Sequence, residues 1–423
     1  PAFQNPEMVV RIRYDDERLR SLEKGSLVQM VNCRVVDKGR VVDKHVWFRD
    51  GVLLDAAKVF WEERRAADLQ VDCCGLIVSP GFIESQINGG FGFDFSTWTG
   101  SEEEYLKGVA KVASRLLAHG VTSFAPTVIT SEPETYKKVL PLLARRNGSA
   151  NGAGILGAHV EGPFISLAKK GAHPERFVRG TLLPDVRGAI EEVYGDTENI
   201  AIITIAPELP GALEAVSLLH SRGVIVSLGH TSTHLEVAET AVKAGASWIT
   251  HLFNAMLTYH HRDPGLIGML TSKYVPAGRT MYYGIISDGF HTHDSALRLA
   301  YRTHPEGLIL VTDAIAALGM GDGTHVLGVQ RVTITGIQAM IEGTNTAAGS
   351  VATMPHCIQH FVKAARCSLE EALWAATARP ATLLGISSHK GTLEAGTDAD
   401  LVLIDDTVDV KATFIGGQLV HSN

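Results

Sequence analysis

A (β/α)₈ TIM-like barrel, with a small β-sandwich built from both chain ends, is the architecture this sequence predicts. Three observations point to it. Eight short apolar runs recur between residues 81 and 311, most of them separated by helix-like segments. The stretches that flank this middle read as β-rich at both ends. Four polar residues, Glu161, His230, His251 and Asp313, each follow closely on an apolar run, which is where a barrel presents its active-site side chains.

In chain order, residues 1–25 are polar and charged, with Arg11, Arg13, Asp15, Asp16, Glu17 and Arg18 close together, and read as an N-terminal extension without a secretory signal. Residues 26–36, 41–48 and 52–54 are short apolar stretches broken by the turn signals Lys38-Gly39 and Asp50-Gly51. The far end has the same texture, with strand-like 401–404 and 413–415 and turns at Gly396 and Gly416-Gly417. Paired, the ends make one small β-sandwich of residues 26–78 plus 389–423 beside a barrel of residues 79–388. Within the barrel the strand candidates are 81–87, 122–128, 154–160, 200–206, 224–228, 247–250, 281–286 and 308–311. Helix-like segments fall at 101–118, 132–144, 211–221, 234–244 and 295–302, the first opened by Ser101 with Glu104 three residues on, a capping pair. A doubly wound open sheet is the structural rival. The absence of G-x-G-x-x-G after the first strand weakens its nucleotide-binding version.

The chain has 423 residues, 45% of them hydrophobic, which suits one large domain plus a smaller one. Its formal net charge is −8 and no block of Lys and Arg stands out, so nucleic acid and membrane surfaces are poor partners. No apolar run is long enough to span a bilayer. The five cysteines, Cys33, Cys73, Cys74, Cys357 and Cys367, form no C-x-x-C pair, which favours a reducing, cytoplasmic setting over a disulfide framework.

Glu161, His230 and His251 are a carboxylate and two imidazoles, the ligand types of a hydrolytic zinc site that keeps a position open for water. Taken singly each has an ordinary reading: Glu161 as a cap, either His as a hydrogen-bonded side chain, Asp313 as a turn residue. Their shared position after apolar runs is what argues for a metal. One divalent ion per subunit is expected, with Zn²⁺ the default and Fe²⁺ or Co²⁺ able to take the same ligands. Bound zinc lowers the pKa of water from about 15.7 to about 7, so the metal-bound water is the expected nucleophile. Asp313 is the proton handler, base toward that water and acid toward a leaving amine. The first strand continues Gly81-Phe82-Ile83-Glu84-Ser85-Gln86-Ile87-Asn88, with Gln86 and Asn88 where two-metal barrels carry H-x-H. Neutral amides are poor zinc ligands, so a single metal is expected. Gln86 and Asn88 are then additional contacts to the water or the substrate.

The strings His159-Val160-Glu161-Gly162-Pro163-Phe164, Gly229-His230-Thr231, Thr250-His251-Leu252-Phe253-Asn254-Ala255-Met256, Asp288-Gly289-Phe290-His291 and Val311-Thr312-Asp313-Ala314, in that order, resemble the N-acetylglucosamine-6-phosphate deacetylase family of the amidohydrolase superfamily. The segment from Gly391 to Leu401 is similar to that superfamily's C-terminal strand signature. The resemblance spans about residues 26–420. It implies metal-dependent hydrolysis of N-acetylglucosamine 6-phosphate to glucosamine 6-phosphate and acetate, by a homodimer. By the same resemblance Glu161, His230 and His251 are the metal ligands and Asp313 the general base and acid. His173 polarises the acetamide carbonyl. His291, Arg262 of the neighbouring subunit, and the backbone of Asn254 and Ala255 contact the phosphate of a phosphorylated amino-sugar substrate. The residue chemistry agrees, because phosphate favours Arg, donating His and backbone N–H groups. His260, His261 and Arg262 precede Asp263-Pro264-Gly265, a turn that presents them on a loop. Two rival readings stand beside this one: another single-metal amidohydrolase, such as a cyclic amidase or aminohydrolase, and a non-catalytic barrel scaffold. A neutral heterocycle would need no phosphate clamp, and a scaffold would be missing a ligand or Asp313.

Overall fold

The computed structural model describes residues 9–37, 40–327, 330–343 and 347–423. Eight parallel strands make the barrel: Phe82–Ile87, Val121–Ile129, Ala158–Glu161, Ile200–Ile205, Ile225–Leu228, Trp248–Ile249, Tyr282–Ile286 and Leu308–Val311, called strands 1 to 8 below. Each pairs in parallel with the next. Among the described residues no ladder joins strand 8 back to strand 1, so the barrel has one seam.

The strands form because they are covered on both faces, which calls for unbroken apolar runs rather than alternation with polar residues. Strand 8 reads Leu-Ile-Leu-Val and is wholly buried. Its Leu308 and Leu310 pack outward under the helices, while Ile309 and Val311 join Ile83, Ala125, Ile202, Trp248 and Ile286 in the barrel interior. Helices Glu102–Leu116, Pro133–Val139, Ala212–Ser221, Leu235–Ala244 and Asp294–Thr303 lie at the expected places. Ser101 accepts from the Glu104 N–H at 3.2 Å, as its spacing anticipates.

Four features depart from the sequence reading. The third apolar run is two strands, Gly154–Ile155 and Ala158–Glu161, because Gly157 turns between them with φ 95°. Helix Val186–Tyr194 was not anticipated; Asp185 caps it by accepting from Gly188 N–H, and Gly188 weakens its helical signature. After strand 8 come a four-stranded antiparallel meander (Gly323–Leu327, Gln330–Thr335, Gln338–Ile341, Ala347–Ser350) and helices Met354–Ala365, Leu369–Ala376 and Ala378–Leu383. The meander has its own small core of Ala317, Val332, Ile334 and Ala339. The fourth departure is at the N-terminal end. Val10–Arg13, expected within an extension, pairs with Leu69–Asp72 as an edge strand, and Leu19 is fully buried.

The chain ends do meet. Leu401–Ile404 pairs antiparallel with Ile77–Pro80, inside a six-stranded sheet. A five-stranded sheet of Val10–Arg13, Leu69–Asp72, Val28–Val31, Val46–Arg49 and Val52–Leu53 packs on it through Met30, Phe48, Val71, Val78, Leu401 and Phe414. The turn expected at Asp50-Gly51 is present, both residues having positive φ. The one at Lys38-Gly39 lies outside the described residues.

Candidate active site

One rule of placement delivers most of the site. Glu161 is the last residue of strand 3. His230, His251 and Asp313 each stand two residues beyond the end of strands 5, 6 and 8. All three have left-handed backbone, φ 47°, 28° and 48°. A non-glycine residue there costs on the order of 1–3 kcal/mol and persists only where its surroundings hold it. The hold is visible. The His230 C=O accepts from Ser166 N–H, the His251 C=O from Asn254 N–H, and Asp313 N–H donates to the Gln86 C=O at 2.9 Å. Gly162, directly after Glu161, has φ 89°, and a Cβ there would lie 2.1 Å from Thr130 Oγ1, so that turn admits only glycine.

The three expected ligands converge. Glu161 Oε1 is 2.9 Å from His230 Nε2 and 3.0 Å from His251 Nε2, and the two nitrogens are 3.0 Å apart. All three side chains are buried. Such a triangle suits three donors around one ion at about 2.0–2.2 Å. The donor chemistry fits as well. His230 Nδ1 donates to the Lys169 C=O at 2.8 Å, which leaves the Nε2 lone pair facing the triangle. Without an ion, the electrostatics still call for a positive charge here. Burial opposes charge on His251, but the Glu161 carboxylate outweighs it and lifts the imidazole to about 9. Burial likewise opposes charge on Glu161, and the two imidazoles hold it well below the usual carboxylate range.

Asp313 and the two amides complete the polar floor. Asp313 Oδ1 accepts from Asn88 Nδ2 at 2.7 Å and from Gln86 Nε2 at 3.3 Å. The same Gln86 amide reaches Glu161 Oε2 at 3.3 Å, so it ties the Asp313 carboxyl to the Glu161–His230–His251 triangle. Burial, and next the Glu161 charge, push the Asp313 carboxyl up to about 6, a value that suits proton exchange near neutral pH. Gln86 Oε1, Asn88 Oδ1 and His251 Nδ1 are buried with no hydrogen-bond partner among the described residues.

His173 lies against His230, ring centroids 4.4 Å apart. Its Nδ1 meets Thr130 Oγ1 at 2.7 Å, and the Thr130 N–H also points at it from 3.4 Å. An Nδ1 that accepts leaves the ring proton on Nε2, available to a substrate carbonyl. Burial, then the neighbouring His230, hold His173 down to about 3, so it is a neutral donor. His291 is fixed by Asp288, which accepts from His291 Nδ1 at 2.5 Å and from its backbone N–H at 2.8 Å.

The remaining phosphate candidates are less gathered. The Asn254 N–H closes a turn onto the His251 C=O at 2.9 Å. The Asn254 Nδ2 donates to the Leu252 C=O at 3.5 Å. Arg262 is exposed and makes no ion pair among the described residues.

Sequence reasoning passed over the residues that orient these groups. Asp288 stands three residues before His291, a spacing open to reading in advance. Thr130 and the Lys169 carbonyl carried no such signal. His159, quoted only as part of a string, is wholly buried between the Ser85 C=O and Thr204 Oγ1, and burial holds it down to about 4.

The chain is similar to known proteins over nearly its whole length. Residues 77–420 match the model of the Amidohydrolase family. N-acetylglucosamine-6-phosphate deacetylase from Caenorhabditis elegans is 58% identical over 410 residues, covering 97% of this chain and 98% of the relative. Among solved structures, the deacetylase of the same name from Pasteurella multocida superposes with TM-score 0.80 at 29% identity, covering 94% of this chain and all of that one. A mutant of the N-acetyl-D-glucosamine-6-phosphate deacetylase from Mycobacterium smegmatis, solved in complex with N-acetyl-D-glucosamine-6-phosphate, superposes with TM-score 0.76 at 27% identity over 95% of this chain and all of that one. The chain therefore belongs to the amidohydrolase family.

Proposed function

We propose that this chain hydrolyses the acetamide of N-acetyl-D-glucosamine 6-phosphate to D-glucosamine 6-phosphate and acetate. The observation that carries the reading is the buried Glu161–His230–His251 triangle, tied through Gln86 to a carboxyl held near neutrality, in a chain 58% identical to a deacetylase of that name. Glu161, His230 and His251 hold one divalent ion, Zn²⁺ by default and Fe²⁺ or Co²⁺ by the same ligand chemistry. When bound, that ion supplies Lewis acidity to the amide and makes water acidic enough to attack at neutral pH.

The chain's own groups do the rest. Asp313 Oδ1 is held by two amides, so Oδ2 takes the proton from the attacking water and returns it to the departing nitrogen. An amine leaves poorly unless it is protonated, and a carboxyl near pH 6 suits both transfers. His173 donates from Nε2 to the acetamide oxygen as negative charge grows there. His291, the Ala255 N–H and Asn254 bind the phosphate, joined by Arg262 from a second subunit. That makes the working unit a homodimer, and we assign it to the cytoplasm. Among the described residues no helix is long and apolar enough to cross a membrane. An inert scaffold fits less well, since the full ligand set and Asp313 are both in place, and a cyclic amidase acting on a neutral heterocycle would have no use for His173, Asn254 and Arg262 as a phosphate-sugar clamp.

The test is acetate release from N-acetylglucosamine 6-phosphate by purified protein, with and without chelator, with metal counted per chain. Turnover that tracks metal content supports the reading. Metal-loaded protein that releases no acetate overturns it.

A further inference from the structure

The seam between strands 8 and 1 is where the barrel lacks a ladder, and it is also where Asp313 stands. Among the described residues, backbone bonds cross it at the C-terminal end of strand 1 and beyond: Asp313 N–H to the Gln86 C=O at 2.9 Å, and the N–H groups of Asn88 and Gly89 to the Ala314 C=O at 2.8 and 3.2 Å. One residue lower a side chain takes over. Thr312 N–H donates to Glu84 Oε2 at 3.2 Å and lies 3.4 Å from Oε1, which also accepts from Gln86 N–H at 3.1 Å. Glu84 is 1% exposed and plays no part in the chemistry above. We infer that Glu84 is a positioning residue for the deacetylation: its carboxyl replaces the missing ladder, binds the backbone directly before Asp313, and so sets where the Asp313 carboxyl stands relative to Gln86 and Glu161.

The physical argument is one of satisfaction and reach. A buried N–H without an acceptor costs about 1–3 kcal/mol. Strand 8 would therefore slide toward strand 1 to find a carbonyl for Thr312 if the carboxyl were absent. A shift of about 1 Å at a reacting group costs roughly 100-fold in rate. The metal ligands sit on strands 3, 5 and 6, away from the seam, so metal and ground-state binding should be spared. Burial raises the Glu84 carboxyl to about 8, so at neutral pH it is mostly the uncharged acid. An amide matches that form in shape and charge but has one acceptor: with its oxygen in the Oε1 place it keeps the Gln86 N–H and the longer 3.4 Å contact to Thr312 N–H, while its NH2 stands where Oε2 accepts at 3.2 Å.

This inference rests on Asp313 as the proton handler. Its test uses Glu84→Ala and Glu84→Gln in the metal-loaded enzyme. For Glu84→Ala, kcat per bound metal should fall 10- to 100-fold with KM within about threefold. Amide exchange in a peptide spanning 308–314 should quicken. Glu84→Gln, which keeps one of the two acceptors, should fall between wild type and Glu84→Ala in both readouts. Wild-type kcat per metal in the alanine variant, or a glutamine variant that falls as far, overturns the proposal. If alanine prevents folding, Glu84→Asp, one methylene short of Thr312, should show the same pattern at smaller amplitude, and unchanged kcat there overturns it equally. The exchange readout needs no turnover. A wild-type enzyme that releases no acetate would therefore sink the functional reading, while the seam contact is still judged on its own.

Discussion

Two ionisable clusters in this chain, one part-buried and one buried, are built to opposite ends. At the junction between barrel and end sheets, Lys390 Nζ sits between Asp398 at 2.9 Å and Asp400 at 2.5 Å, and Asp400 Oδ1 also accepts from Gly416 N–H. The Asp400 C=O takes Gly81 N–H, which anchors the start of strand 1. Burial opposes the lysine's charge, yet the carboxylates outweigh it and keep its pKa above the ordinary value. Lys390 there has carboxylate partners on both sides. At the C-terminal mouth, by contrast, two imidazoles and a carboxylate crowd one point, a second carboxyl stands close by, and buried atoms of Gln86, Asn88 and His251 have no partner among the described residues. The difference separates structure from function: a cluster that satisfies itself holds parts together, and one that does not is waiting for a ligand.

The contrast can be broken at either end. The largest effect is expected from Asp313→Asn, which keeps the hydrogen bond to Asn88 through its amide oxygen but cannot carry a proton. Turnover should drop by about 10²–10⁴-fold with metal content unchanged, as read by acetate release and elemental analysis; residual activity near wild type would remove Asp313 from the proton path. Next comes Glu161→Gln, which removes the charge that gathers the two imidazoles. Most of the metal should be lost, and unchanged metal per chain would take Glu161 out of the ligand set. A smaller, selective loss is predicted for Arg262→Ala. A charge-assisted hydrogen bond of about 1.5–3 kcal/mol means roughly 10- to 100-fold in kcat/KM for the phosphorylated sugar, with unphosphorylated N-acetylglucosamine within about twofold. Equal losses on both substrates would undo the phosphate assignment.

The smallest effect on catalysis sharpens the comparison from the other side. Lys390→Met should leave kcat per metal unchanged while lowering stability by about 3 kcal/mol, since it strands two carboxylates in a mostly buried place. The sign with pH follows from its raised pKa. The lysine's contribution is complete below its ordinary value of 10.5 and is lost only as pH rises through the folded value, so the wild-type-to-variant gap in urea midpoint should stay flat from pH 7 to 9. A gap that closes within that range would mean the ion pairs are not its source.

Much of this was open to reading before the fold was seen. Strands such as Leu308–Val311 are continuous apolar runs that a covered strand explains, and Glu161, His230, His251 and Asp313 mark themselves by following such runs closely. The meander after Leu308–Val311 was not legible, because its small core gives little periodic signal. Nor was the strand Val10–Arg13, whose Arg-rich pattern suits an exposed edge and a solvated tail alike.

Sequence by itself determined which residue types stand after which strands, and therefore that a carboxylate, two imidazoles and a second carboxyl would share one rim of a barrel. That much is fixed by chain order, because successive parallel strands return their C-terminal ends to the same side. Only the tertiary structure decided how each group is held: the left-handed turns at His230, His251 and Asp313, the Gln86 amide between two carboxylates, Asp288 behind His291, and Glu84 across the seam. Those relations join residues as far as 228 positions apart, and distances between their atoms are set by packing and by which buried N–H finds which oxygen, neither of which is written in local pattern.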